Sequence, residues 1–344
     1  MHRNLKRLAL GGLLAAISTL CAAADLVHSG FTRNTGDVGI FVAEEKGYFK
    51  QENIEFKLTY FDSGARMVAP LGTGELDIGS APMSIGLYNA AARKIDNRVV
   101  ADRGRTGPGY WYQTLMVRKD LIESGRFKGY RDLKGLTFAI TAPGISVLSV
   151  LNEAMKKGGL AYNDIEKVYI GYPQQVVAFR NKAIDAAMMI EPFATQAVAN
   201  GDGVRFAPTE DFYPGDQISA MLFGEKFARE KADLARRFMR AYIRAVRDYN
   251  DAIENGQWTQ SAKADEVIGI VARRLELKPE QIRAAYPHAV DPDGRVNVDS
   301  MRKDLQFFRE YTEFNDPKFK VEDIIDMSFV EAAVRDLGVY KRAP

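Results

Sequence analysis

The sequence predicts an α/β protein of two lobes, each a mixed, mostly parallel sheet flanked by helices, followed by a helical C-terminal tail. Three observations predict it. Between Thr35 and Asp102 a loop–helix–strand unit is written twice, with glycines and small polar residues at the strand-to-helix turns. A second α/β set of the same kind starts near Asp132 and runs past Met189. From Gln217 onward the pattern changes to amphipathic helices. A chain of 344 residues has room for two domains, and 46% hydrophobic and 27% charged residues are ordinary for a globular protein.

The first 24 residues stand apart. Arg3, Lys6 and Arg7 precede the apolar run 8–20, and Ala22, Ala23 and Ala24 supply a small-residue cleavage site before Asp25, the layout of a secretory signal peptide. The single cysteine, Cys21, lies inside it, and Leu20 stands where a lipid-anchor signal needs a small residue. Cleavage after Ala24 leaves 44 Lys and Arg against 45 Asp and Glu, so no basic excess points to nucleic acid. The mature form then has no thiol for a disulfide, a nucleophile or a metal.

The elements follow in order. A strand is expected over 26–31, then a loop over 32–36 and a helix over 37–46 that Gly47 ends. Ile54, Phe56, Leu58 and Tyr60 alternate with Glu55, Lys57 and Thr59, the period of a strand. Ser63 suits the N-cap of a helix through Leu71, and residues 76–79 read as a short strand. Pro82 suits the first position of a helix reaching Arg93, before a strand over 99–101. In the second set the expected strands are 136–140, 168–170 and 184–189, with helices ending at Gly158, covering 175–181 and opening at Glu191-Pro192. A strand over 218–223 leads into one long helix over 225–254, carrying Leu234, Phe238, Tyr242, Val246 and Tyr249 on one face.

Catalytic chemistry is thin. The mature chain keeps His28 and His288, and it lacks the metalloprotease, phosphate-loop and nucleophile-elbow motifs. Gly72, Gly74 and Gly79 are misplaced for a dinucleotide loop and read as turns. No catalytic residue, cofactor or metal site is expected. Binding chemistry is richer, because strand–helix winding sets helix N-termini at the carboxyl ends of parallel strands, where free N–H groups favour anions. Asn34 and Thr35, then Ser63, Gly64 and Ala65, then Ser80 and Ala81 occupy such places in the first lobe; Thr141 and Ser146 occupy them in the second. For each, a cap or a plain turn is the competing reading. Glu191 either receives a donor from a ligand or caps the helix after Pro192. Arg33 and Arg66 either neutralise an anion or lie on the surface. The run Tyr110-Trp111-Tyr112-Gln113 could wall a ring or alkyl chain, chiefly through Trp111 and Gln113, or could pack between strands.

The blocks E-K-G-Y-F at 45–49, S-G-A at 63–65, G-E-L-D-I-G at 74–79, D-L-K-G at 132–135 and I-E-P at 190–192 keep an order and spacing that span most of the mature chain. They resemble the nitrate/sulfonate/taurine substrate-binding family of ABC importers, which includes thiamine-pyrimidine binders. The resemblance implies a two-lobed periplasmic binding protein, a type II-like clamp. Lobe I would comprise 25–118 and 217–344, with the tail buttressing it, and lobe II 119–216. It implies a monomer in the periplasm that captures a small organic anion (a sulfonate, a taurine-like solute or an aromatic carboxylate) and delivers it to an ABC permease in the inner membrane. Alternatives are a ligand-sensing partner of a membrane signalling protein, or a thiamine-pyrimidine binder or synthase-like enzyme. The enzyme would need histidines and a metal at the cleft, and none is near the expected site.

Overall fold

The computed structural model describes residues 23–61, 64–95, 97–314 and 316–342; Cys21, Ser63 and nearly all of the expected signal peptide lie outside the described residues. Ten strands form two five-stranded sheets. The first contains β1 (Asp25–Phe31), β2 (Ile54–Tyr60), β3 (Ile78–Ala81), β4 (Asn97–Gly104) and β10 (Ser219–Gly224), in the order β2-β1-β3-β10-β4. The second contains β5 (Gln113–Arg118), β6 (Thr137–Ile140), β7 (Glu166–Tyr169), β8 (Ala186–Ile190) and β9 (Gly203–Pro208), in the order β7-β6-β8-β5-β9. Both sheets follow one plan. Strand β1 is parallel to β2 and β3, and β6 to β7 and β8, while the fourth position is antiparallel to both neighbours.

That fourth strand is where the sheets exchange chain. Strand β5 enters the second sheet directly after the crossing 105–112, and β10 re-enters the first directly after the crossing 209–218. The carboxyl ends of β1, β3, β6 and β8 therefore carry Thr32, Pro82, Thr141 and Glu191, the positions at which open α/β sheets hold ligands.

Helices α1 (Val38–Glu45), α2 (Ile85–Ala92), α3 (Val147–Lys157), α4 (Phe193–Ala199), α5 (Ala232–Asp251), α6 (Ala262–Leu275), α7 (Val298–Tyr311) and α8 (Ser328–Leu337) bear on the site. One face of the first sheet is sealed by α1, α5, α6 and α8: Phe238, Tyr242, Val246 and Tyr249 of α5 join Val27, Phe31, Val100 and Phe223 in one core. Each such side chain contributes roughly 1.5–3 kcal/mol on burial. Gly39 lets α1 approach α5, since a Cβ there would lie 2.7 Å from the Tyr242 ring.

Four expectations change. The strand 113–118, assigned to lobe I, belongs to the second sheet, so the first crossing is 105–112. The helix 225–254 breaks at Lys231, which leaves helical geometry (φ −116°, ψ 36°) and pairs its Nζ with Asp77 at 2.9 Å. The helix after Pro82 starts three residues later, because extended Ser84 is the N-cap and accepts from Leu87 N at 3.2 Å. The tail does not buttress the first lobe alone. Met301, Leu305, Phe307 and Phe308 of α7 share a core with Val99 and Leu222 of the first sheet and with Leu115, Val117 and Phe138 of the second.

Candidate functional site

The two sheets meet mouth to mouth. Ser84 and Ile145 form an isolated antiparallel bridge, Ile85 N donates to Gly144 O at 2.9 Å, and Ser146 N donates to Met83 O at 2.8 Å. The N-terminal ends of α2 and α3 thus face each other across the contact. On the other side Thr35 Oγ1 donates to the Glu191 carbonyl at 2.9 Å. These bonds hold the two mouths closed on one another.

Asn34 and Thr35 lie in the turn after β1. The Asn34 side chain accepts from Gly36 N at 2.9 Å, and Asp37 accepts from Asn34 N at 3.1 Å, a capping box that fixes the turn. Asp37 is held in turn by a buried arginine from the end of β4. Arg103 donates through Nε to Asp37 Oδ1 at 3.0 Å, also bonds it through Nη2, and reaches Ser219 Oγ at 2.8 Å and Asn34 Oδ1 at 3.3 Å. Burial works to lower the Arg103 pKa, but the charge and hydrogen bond of Asp37 oppose it and the pKa is raised overall, so the guanidinium stays charged.

Tyr112 closes this group from the crossing. Its hydroxyl is 3.5 Å from Asn34 Oδ1 and within hydrogen-bonding reach of Thr35, and burial pushes its pKa up. Its ring centroid lies 5.1 Å from that of His288, which stacks on Tyr249 at 5.1 Å. Burial, aided by the Arg103 charge, lowers the His288 pKa to about 3, so this imidazole is neutral at ordinary pH.

From the second sheet come Thr141 and Tyr172, hydrogen-bonded to each other, with the Tyr172 ring stacked on Phe193 at 5.6 Å. Glu191 is fully buried and fully engaged: Oε1 accepts from Arg205 Nη2 at 2.5 Å, and Oε2 accepts from Thr195 N at 3.0 Å in the first turn of α4. Burial raises its pKa while the Arg205 charge opposes the rise. In this structure the carboxylate caps α4 and pairs with Arg205, the capping reading of the two the sequence offers.

Of the other expected residues, Ser80 is buried in β3 with no partner for its hydroxyl among the described residues. Its register neighbour Met221 lies two residues from Ser219, the acceptor of Arg103. Gly64 lies against the end of β3, where a Cβ would sit 2.8 Å from Ala81 Cα; Ala65 is described only as part of the 3-10 turn Gly64–Met67. Trp111 and Gln113 do not join Tyr112. Trp111 lies beside Tyr286 (6.3 Å) on an outer groove of about 410 Å³ that also borders Val204 and Arg205. Gln113 points into the core, with Nε2 3.4 Å from Asp216 Oδ2. Arg33 turns away to pair with Glu276 at 2.6 Å, and Arg66 is exposed.

A family model described as the NMT1-like family matches residues 23–263. The chain belongs to the NMT1-like family. Among relatives of this NMT1-like chain is an Escherichia coli (strain K12) protein named for binding aliphatic sulfonates. It is 26% identical over 236 residues, covering 65% of this chain and 69% of that protein. The fold matches that of the alkanesulfonate-binding protein SsuA from Xanthomonas axonopodis pv. citri bound to MOPS, with a TM-score of 0.68, 18% identity, and 89% and 99% of the two chains covered. The desulfurization enzyme DSZB shares the fold more loosely, at a TM-score of 0.61 and 13% identity over 91% and 99%. In this NMT1-like chain the ionisable groups described around the mouth are already committed: Asp37 to Arg103, Glu191 to Arg205, and His288 held neutral behind Tyr112. The other polar groups described around the mouth are the neutral hydroxyls of Thr35, Ser80, Tyr112, Thr141 and Tyr172, of which only that of Ser80 has no partner among the described residues. Hydroxyls of this kind can donate to acceptor oxygens.

Proposed function

We propose that this protein is a periplasmic solute-binding protein that captures a small organic anion between its two lobes and hands it to an ABC permease. The observation that carries this reading is the pair of sheet mouths that meet around neutral hydroxyls while the described mouth carboxylates Asp37 and Glu191 are paired. Sulfonates, taurine-like solutes and aromatic carboxylates all offer acceptor oxygens to such donors, and Tyr112, Tyr172 and Phe193 suit a ring or chain. The lobes are taken to follow the sheets, 25–104 with 219 onward against 113–208, joined by two crossings that act as a hinge. A synthase-like or desulfurising enzyme is disfavoured by the commitment of its would-be acids and bases. A sensing role uses the same clamp and differs only in which membrane protein reads it.

Thermal melting of the chain from Asp25, stripped of co-purified ligand by unfolding and refolding, tests the reading. The panel holds taurine, alkane- and arylsulfonates, benzoate- and phthalate-like acids, nitrate and aminopyrimidines. A true ligand at 100 times its Kd stabilises by about 2.7 kcal/mol and raises Tm by a few degrees. Stabilisation by organic anions is expected. Stabilisation by aminopyrimidines alone, or by nothing in the panel, contradicts the assigned solute class.

A further inference from the structure

Where the two crossings meet α7, the chain buries two carboxyl groups that have no place in the ligand site. Asp216 lies in the crossing 209–218 and Asp304 on α7, and they are 1% and 0% exposed. Tyr213 Oη donates to Asp304 Oδ1 at 2.8 Å, and Ser149 of α3 also bonds this carboxyl. Gln113 Nε2 lies 3.4 Å from Asp216 Oδ2. Yet Asp216 Oδ1, Asp304 Oδ2 and the Gln113 amide oxygen have no donor among the described residues.

The same spot ties the two crossings to each other and to α7, and α7 to both sheets. Thr106 N, from the first crossing, donates to Asp216 O in the second at 2.9 Å. Gln217 ties that crossing to α7, donating from its N to Ser300 Oγ at 2.8 Å and accepting from Asn297 N at 2.7 Å. Helix α7 reaches the second sheet's α3 through Lys303 and Glu153, 2.8 Å apart, and the first sheet's α2 through Tyr88, whose ring lies 5.7 Å from that of Phe308.

We propose that Asp216 and Asp304 form a proton-linked hinge: a proton held on the pair keeps the junction of crossings and α7 tight, and its loss loosens the junction. Two like charges in a dry site with orphaned oxygens are costly, and one proton removes the conflict. Facing the pair are Lys303 on α7, Glu153 and Ser149 on α3, Glu210 and Tyr213 on the second crossing, Tyr88 on α2 and Gln113 on β5. Lys303, the cation among them, is spent on Glu153 and on the Tyr213 ring, 4.0 Å away. Burial pushes Asp304 up to about 7, and burial with the Asp304 charge pushes Asp216 well above the carboxylate range. In the unfolded chain such groups titrate near 4. The folded pKa is raised, so the stabilisation present at low pH is lost as pH rises towards and through about 7.

The inference takes the crossings as the hinge, but its test needs no ligand, so its failure leaves the solute reading standing. Hydrogen exchange at residues 105–112 and 209–218, corrected for intrinsic rates, is compared with β1 and β2 at pH 5.5, 7 and 8.5, alongside Tm. In the natural chain the crossings are expected to exchange several-fold faster at pH 8.5 while β1 and β2 hold, with Tm falling over the same range. In Asp304→Asn, which keeps the shape and removes the proton, that slope is expected to fall by at least half; Asp216→Asn is the second variant should the first not fold. Crossings whose protection ignores pH, or variants with the natural slope, overturn the proposal. So does a Tm that falls without any change at the crossings, since that marks ordinary burial and not a hinge.

Discussion

Thr35 is the smallest side chain with a large stake in closure. Its hydroxyl bridges the two mouths by donating to the Glu191 carbonyl, and it also lies within reach of Tyr112. Thr35→Val keeps the shape and deletes the donor. The loss of a neutral hydrogen bond, about 0.5–1.5 kcal/mol, predicts roughly 2- to 12-fold weaker binding of the most stabilising solute by calorimetry, with an unchanged Tm. The turn carrying Asn34 and Thr35 was legible because it follows the first parallel strand, where such sheets open. Tyr112 was not separable from Trp111 by sequence. Neighbouring residues on an extended chain face opposite ways, and which one faces the mouth depends on the pairing of Gln113 with Ile190. Arg103 was illegible for a related reason: a charged residue reads as surface until its partner Asp37, distant in the chain, is folded against it.

At the scale of elements, the turn that carries Asn34 and Thr35 is placed by α1, and α1 is placed by its close approach to α5. Gly39→Val puts branched atoms into the Tyr242 ring and Val246, whose atoms would lie 2.7 and 3.2 Å from a Cβ. Overpacking of this kind costs about 1–3 kcal/mol, so a lower denaturant midpoint at unchanged slope is expected. The parallel strands β1, β2 and β6 were readable from alternation or from apolar runs between turns. Strand β9 was not, since G-V-R-F-A-P alternates over only three residues and the segment takes its conformation from pairing with β5. The break at Lys231 was equally hidden, because the apolar stripe of α5 continues in phase and Lys231 pairs with Asp77, just before β3 and distant in the chain.

Among the described residues the two five-stranded sheets share one plan and are joined by two crossings, and the core of α7 spans both. That helix limits how the sheets can separate, so opening is expected as rotation about the crossings and not as free swinging. A solute can close the clamp only by its preference for the closed form. The central claim, that the sheets close on a small organic anion, is tested most directly by solution X-ray scattering of the stripped protein, titrated with the solute that stabilises it most. The account predicts a radius of gyration above the closed-form value when free, near the roughly 20 Å of a compact chain this size when saturated. A radius that stays the same from empty to saturated would contradict it.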